Sequence, residues 1–290
     1  MKDMVKLLEN TQGMVLPGGA SKLMRYKADK TTPYQNKITK IIDWAKAENR
    51  AGNYYPIWGT CLGMEESLIS LDENNPNTMS LGIDDINTEH PLDLTPAYWQ
   101  SAFFKGLPIS PDLAKKVYKK KVFYYYHHDG LTFEHYQREK LGKEFNLLAT
   151  STAANGKRFV ALMEGKDVPI YLTQFHPEKN QFEKIDFLNN LDRSPSTLRL
   201  LSSYMWRFIG LIKERSKVPT PVQIPENIHK YLSNEIAPRN SPVKSYAKIY
   251  LLKNLKTEEP FLERHKGVMK IWVGLKEELR KEDPMSIGYK

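Results

Sequence analysis

The sequence predicts an α/β protein built on a doubly wound, mostly parallel sheet flanked by helices. Three observations carry this expectation. A β-prone run, Tyr54-Tyr55-Pro56-Ile57-Trp58, leads into the tight turn Gly59-Thr60-Cys61-Leu62-Gly63 and then into a helical stretch from Met64 to Ser70; strand, sharp turn and helix are the repeating unit of a wound sheet. Further strand-like runs rich in aliphatic and aromatic residues recur at 122–126, 145–150, 158–163 and 169–175. Residues 195–213 place Leu198, Leu201, Tyr204, Met205, Phe208 and Ile212 along one side of a long helix.

In chain order, residues 1–10 read as a short helix and Gly13-Met14-Val15-Leu16 as a short buried strand ending at Pro17-Gly18-Gly19. Residues 33–49 have helical spacing, with Ile38, Ile41, Ile42 and Ala45 on one face and Trp44 beside it. The prolines, asparagines and acids between Asn74 and Pro111 predict loops and short elements. Ala154-Asn155-Gly156-Lys157 is a hairpin signal between two of the strands. Val218-Pro219-Thr220-Pro221 stops the long helix. The expected organisation is therefore an α/β domain over 1–217 and a C-terminal tail, 218–290, of unassigned structure.

Composition narrows the function classes. A length of 290 residues suffices for one sizeable core, and no apolar run approaches the roughly 18 residues of a membrane span. The N-terminus, Met1-Lys2-Asp3-Met4-Val5-Lys6-Leu7-Leu8, lacks the uninterrupted apolar stretch of an export signal. A single cysteine excludes an intrachain disulfide and a multi-cysteine metal site. The net charge of +9 raises the question of nucleic acid. The densest basic cluster, Lys115-Lys116-Val117-Tyr118-Lys119-Lys120-Lys121, comes with no nucleic-acid motif and reads as a solvated face. A positive field suits a small anionic substrate instead.

Cys61 is the first candidate for chemistry. Gly59 and Gly63 flank it two positions away on each side, the spacing of a nucleophile elbow, where strand and helix approach too closely for side chains. The start of the following helix offers unpaired N–H groups and a dipole that favour a thiolate. Taken alone, a lone cysteine in a strand-to-helix turn is as readily a small buried hydrophobe. His176 follows the strand ending at Phe175 and precedes Pro177. In an extended backbone Glu178 points to the same side as His176, where its carboxylate can orient the imidazole. The pair Gly18-Gly19, at the end of a strand, and the Leu62 N–H beside the nucleophile are candidate donors to an oxyanion, although a glycine pair is equally an ordinary turn.

The segments Gly13 to Gly19, Tyr55 to Glu65, Met163-Glu164-Gly165, and Gln174-Phe175-His176-Pro177-Glu178-Lys179 resemble γ-glutamyl hydrolases, of the class I glutamine amidotransferase-like fold, in order and in separation over about residues 3–215. The resemblance implies hydrolysis of γ-glutamyl bonds, with folate poly-γ-glutamates as substrates, by thiolate attack and an acyl-enzyme. Carried over by position, Cys61 is the nucleophile, His176 the acid/base and Glu178 its partner. A family histidine near the substrate matches His127, next to His128, although the adjoining tyrosines also suit a strand packed on the core. Glu65, in the matched segment, is taken as a further substrate-binding residue. The chemistry calls for no cofactor and no metal, and the partner set is a small anionic γ-glutamyl compound, without nucleic acid or membrane, and with room for a homodimer.

Two departures shape the expectation. Members of that family carry a signal peptide and a first strand, helix and second strand ahead of the point where this chain begins, so the sheet is expected to lack the first family strands. An incomplete N-terminus goes with a lysosomal, vacuolar or extracellular protein, and the chain as written with a cytoplasmic one. The tail after Lys217 is longer than the family pattern. Two alternatives follow: a truncated, catalytically inactive member with a structural or binding role, and a glutaminase-type amidotransferase domain.

Overall fold

The computed structural model describes residues 2–9, 11–19, 31–138, 141–183, 188 and 191–215. The tail expected over 218–290 lies outside the described residues. The elements run α1 (Lys2–Glu9), β1 (Met14–Leu16), α2 (Pro33–Arg50), β2 (Ile57–Thr60), α3 (Leu62–Leu71), β3 (Ser80–His90), β4 (Asp93–Leu94), α4 (Pro96–Gln100), α5 (Ala102–Lys105), α6 (Pro111–Tyr118), β5 (Phe123–Gly130), α7 (Phe133–Arg138), α8 (Leu141–Glu144), β6 (Phe145–Thr152), β7 (Arg158–Gly165), β8 (Ile170–Thr173), α9 (Lys179–Phe182) and α10 (Pro195–Arg215).

The main sheet has the order β1-β2-β8-β7-β6-β4. β1, β2 and β8 are parallel, with Leu16 beside Gly59 and Thr60 beside Thr173, whereas β7, β6 and β4 extend the sheet in antiparallel fashion. Parallel strands need both faces covered, and the β2 and β8 side chains alternate to meet that need. Trp58 and Tyr171 belong to a core with Phe103, Tyr204 and Phe208. Ile57, Ile170 and Leu172 belong to the opposite core, with Ile38, Ile42, Met64 and Leu68 of α2 and α3. The result is three layers, helix on sheet on helix. The three C-terminal ends of the parallel strands, at Leu16, Thr60 and Thr173, come together at one edge, where ligands bind in sheets of this class.

Local chemistry accounts for the element ends. Thr32 caps α2 by accepting from the Gln35 N–H at 3.0 Å, ahead of Pro33 in the first turn. In the hairpin between β6 and β7, Gly156 adopts φ 83° and its N–H bonds the Ala153 carbonyl at 2.9 Å.

Three expectations are corrected. The segment expected to hold only loops and short elements, Asn74 to Pro111, contains an eleven-residue strand, β3, paired with β5 in a separate two-stranded ribbon. Positive φ at Gly82, Asp84 and Asn87 and two register shifts break its period-two alternation, which removes the pattern by which a strand is recognised. β1 was expected to be buried, yet Val15 is half-exposed; among the described residues β1 has a strand neighbour on one side only. The apolar stripe of α10 is rotated: Leu200 and Leu211 are buried with Leu201, Tyr204 and Phe208, and Leu198, Met205 and Ile212 are half-buried. No described helix is long and apolar enough to cross a membrane.

Candidate active site

Cys61 occupies the single position between the end of β2 and the start of α3, with φ 50° and ψ −112°, a conformation costly for any residue with a Cβ. Its N–H donates to the Thr173 carbonyl at 2.8 Å, and its own carbonyl accepts from the Glu65 N–H at 2.9 Å, so strand and helix together hold it there. The two glycines of the elbow allow the approach. A Cβ on Gly59 would lie 2.7 Å from Leu172 Cδ2 and 2.9 Å from the Gly63 carbonyl oxygen, and a Cβ on Gly63 would overlap the Leu16 carbonyl.

Gly18 is the meeting point of the other parts. A Cβ built there would fall 2.6 Å from His176 Cε1 and 3.4 Å from Cys61 Cβ, so the imidazole and the cysteine side chain both abut the same bare backbone. Gly19 lies against Leu62, its would-be Cβ 3.1 Å from Leu62 Cδ2. The His176 N–H donates to the Tyr124 carbonyl at 2.9 Å, tying the histidine to β5, and Nδ1–H donates to Glu178 Oε1 at 2.7 Å. That bond leaves Nε2 as the ring nitrogen not engaged by Glu178. Cys61 Sγ lies 3.8 Å from the Tyr126 carbonyl, to which the thiol donates.

The electrostatics differ from the sequence expectation of an acidified thiol. Burial pushes the Cys61 thiol well up from its ordinary value, the negative charge of Glu65 adds to the rise, and the Leu62 N–H draws it down. Burial outweighs the helix start because Cys61 is 4% exposed. Burial also works to raise Glu178, but the charge and hydrogen bond of His176 overcome it and hold the carboxyl below its usual range.

Of the remaining predicted residues, Glu65 is buried on α3 and accepts from Gln174 Nε2 at 2.8 Å. His127 is buried on β5, and its Nδ1–H donates to the Asp129 carbonyl at 2.7 Å. Burial drives the His127 imidazole down to about 4, so it is neutral at physiological pH. Nε2 of His127 and Oε1 of Gln174 are both buried without a hydrogen-bond partner, and a Cβ on Gly130 would sit 3.8 Å from each residue's near atom, His127 Cε1 and Gln174 Oε1. His128, by contrast, points outward and pairs with Asp84 at 2.9 Å. Among the described residues, no group of three or more His, Cys, Asp or Glu is placed to hold a metal ion.

Residues 2–190 match the model of the glutamine amidotransferase class-I family. The chain belongs to that family. Its similar proteins include a γ-glutamyl hydrolase of Rattus norvegicus, 31% identical over 70% of this chain and 60% of the relative. γ-Glutamyl hydrolase B of Dictyostelium discoideum is 29% identical over 62% of this chain and 50% of the relative. The Homo sapiens γ-glutamyl hydrolase is 31% identical over 68% and 58%. This amidotransferase-family chain thus spans about half to three fifths of the length of these relatives.

Sequence reasoning missed Gln174 and Tyr126. Gln174 precedes His176 by two, a spacing that in a strand marks a shared face, but the strand expected to run to Phe175 ends at Thr173, so that spacing says nothing of where Gln174 points. Tyr126 lay in a tyrosine run that reads as core, and the burial of Tyr124 and Tyr125 beside the exposure of Tyr126 is visible only once β5 has a sheet partner.

Proposed function

We propose that the chain hydrolyses γ-glutamyl peptide bonds, folate poly-γ-glutamates among them, through an acyl-enzyme on Cys61. The observation that carries this is the shared contact of Cys61 and His176 on Gly18, with Glu178 fixing the imidazole. The γ-glutamyl hydrolase names of the relatives support the bond type.

In the first half-reaction the Cys61 thiol gives its proton to His176 Nε2 as sulfur bonds to the γ-carbonyl carbon. Negative charge then develops on the carbonyl oxygen, and the Leu62 N–H and the backbone N–H groups of Gly18 and Gly19 are the donors proposed for it. The tetrahedral adduct collapses as the C–N bond breaks, and His176 returns its proton to the departing amine. In the second half-reaction His176 takes a proton from water, the hydroxide adds to the thioester carbon, and the C–S bond breaks. The thiol recovers the proton, and a γ-carboxylic acid is released. Glu178 stabilises the imidazolium in both halves. A thiol that burial keeps protonated fits a mechanism in which it is deprotonated as it attacks rather than beforehand. Glu65, Gln174 Oε1 and the unprotonated Nε2 of His127 offer acceptors only, a set suited to an N–H donor on the γ-glutamyl unit.

The test is release of glutamate from a γ-glutamyl peptide by the full chain, with free glutamine offered in parallel. Peptide turnover that Cys61→Ala abolishes is expected. Ammonia from glutamine with no peptide cleavage would instead make the chain a glutaminase, and absence of both activities in the wild type would overturn the catalytic reading.

A further inference from the structure

Asn180 takes no part in the chemistry proposed above, although it follows Glu178 by only two residues. It sits in α9 and is 1% exposed. Its Nδ2 group faces three acceptors from separate parts of the fold: the Asp192 carbonyl ahead of α10 at 3.0 Å, Glu89 Oε1 on β3 at 3.2 Å and the Val122 carbonyl just ahead of β5 at 3.3 Å. Two hydrogens serve these three oxygens, so at least one is shared. Oδ1 is buried without a partner among the described residues, and the amide is therefore engaged through its donors alone. The turn it belongs to has bonds of its own, from the Lys179 N–H to the His176 carbonyl at 3.3 Å and from Gln181 Nε2 to the Pro177 carbonyl at 2.7 Å. Those bonds shape the turn, whereas the Asn180 amide ties it to β3, to β5 and to the approach to α10.

We infer that Asn180 is a positioning residue: its amide clamps the turn that carries Glu178 to the β3–β5 ribbon and so holds the Glu178 carboxylate against His176 Nδ1. The kinetic consequence rests on the hydrolase reading. Two features of the geometry carry the inference. The carbonyls of Val122, Tyr124 and Tyr126 accept in turn from the Asn180 amide, from the His176 N–H at 2.9 Å and from Cys61 Sγ at 3.8 Å. Carbonyls two residues apart on a strand face one edge, so a single edge of β5 locates the thiol, the histidine and the turn beyond it. Glu178 lies between the second and third of these anchors in the chain order 176 to 180. Its side chain is 41% exposed, so packing does not fix its direction, and its φ of −77° and ψ of −27° are those of a turn. The main chain on either side therefore decides whether Glu178 Oε1 reaches Nδ1 at 2.7 Å. Without the Asn180 amide, the Cys61 and His176 contacts with β5 remain and the Glu178 end is released.

The experiment is a double-mutant cycle on hydrolysis of a γ-glutamyl peptide by the full chain, with Asn180→Ala, Glu178→Gln and the two combined. It is joined to the proton resonance of His176 Nδ1–H, assigned by its disappearance in His176→Ala. Asn180→Ala should lower kcat by roughly five- to twentyfold with KM little changed. In the Glu178→Gln background the same change should cost no more than about a further twofold, because the carboxylate it positions is already gone. The Nδ1–H resonance should be resolved downfield in the wild type and lost to exchange with water in Asn180→Ala. Asn180→Ser keeps one donor, should fall between the wild type and Asn180→Ala in kcat, and carries the same cycle if Asn180→Ala does not fold. A kcat unchanged in Asn180→Ala, a full penalty in the Glu178→Gln background, or a resonance that survives Asn180→Ala overturns the inference and leaves the hydrolase reading intact. If the wild type cleaves no γ-glutamyl bond, the hydrolase reading falls and the resonance decides alone. Its loss in Asn180→Ala then sustains the clamp, and its survival removes it.

Discussion

The backbone of Gly63 lies against the Leu16 carbonyl so closely that a single Cβ would overlap it. This contact joins the first turn of α3 to the end of β1 and thereby sets the height of Cys61 relative to Gly18. Neither neighbour is a flexible side-chain tip, so the overlap has to be relieved by moving main chain.

Gly63→Ala is accordingly expected to destabilise the chain by about 1–3 kcal/mol and to lower the proposed γ-glutamyl hydrolysis more than its stability loss explains, because α3 shifts together with Cys61. Gly156→Ala is the contrast: nothing lies within 4 Å, and only the positive φ of 83° opposes it, so stability falls modestly and activity holds. Urea unfolding with single-turnover kinetics on both variants decides this. Equal activity losses in the two would remove the elbow from the explanation.

Cys61 provides a second prediction, with a direction opposite to the one its helix-start position suggests. Burial first, and Glu65 second, hold the thiol protonated at neutral pH, so iodoacetamide labelling of the free protein should be slow and should speed up as pH rises. Glu65→Gln removes a negative charge, lowers the thiol pKa and should accelerate labelling several-fold at pH 8. The same substitution is expected to reduce hydrolysis, since Glu65 is proposed to hold the substrate. Labelling that is fast in the wild type, or slower in Glu65→Gln, contradicts this picture.

The third prediction separates the proposed base, His176, from its proposed orienter, Glu178. His176→Ala should lower kcat by roughly 10²–10⁴-fold through loss of proton transfer, and Glu178→Gln should leave a reduced but measurable rate. Glu178 is held below its usual pKa by His176, so the ion-pairing contribution is present above the unfolded carboxylate pKa and is lost as pH falls through the lower folded value. Activity of Glu178→Gln should therefore show a weaker acid limb than the wild type. Superimposable pH profiles would show that the 2.7 Å contact plays no part in catalysis.

These residues also show what a sequence can and cannot disclose. The placement of Cys61 and His176 together was legible because elbow glycines and a histidine following a strand are local patterns, and the order of the parallel strands brings the two halves together; Glu178 was expected to share a face with His176 on an extended backbone, whereas it reaches the imidazole from a turn, with φ −77° and ψ −27°. β3 was not legible, because the turns at Gly82, Asp84 and Asn87 bend it and its pairing with β5 is long-range. The Glu65–Gln174 contact spans 109 positions and depends on β8 ending beside α3, a matter of packing and not of periodicity. The rise in the thiol pKa was hidden for the same reason: dipole and N–H groups follow from the helix start, whereas desolvation follows from the fold.

Glu66 gives the last prediction, away from the chemistry. Its side chain is 0% exposed on α3, both carboxylate oxygens lack a hydrogen-bond partner, and burial raises its pKa to about 7. The adjoining Gln35 donates to the Glu66 main-chain carbonyl at 3.1 Å and not to the carboxylate, so nothing on that side compensates a charge. A carboxyl whose folded pKa lies above its unfolded value near 4.5 binds a proton on folding. Its contribution to stability is whole below the unfolded pKa, declines as pH climbs toward about 7, and is absent above it. At about 1.4 kcal/mol per pKa unit, the loss between acid and mildly alkaline conditions is on the order of 3–4 kcal/mol. Glu66→Gln, which stays neutral throughout, should stabilise the chain at pH 8 by an amount of that order and change little at pH 4.5. Urea midpoints of the wild type and Glu66→Gln across this range should converge at the acid end and part at the alkaline end. Parallel curves would mean that the buried carboxyl finds a partner for its charge, and would remove Glu66 as a source of acid preference in the fold.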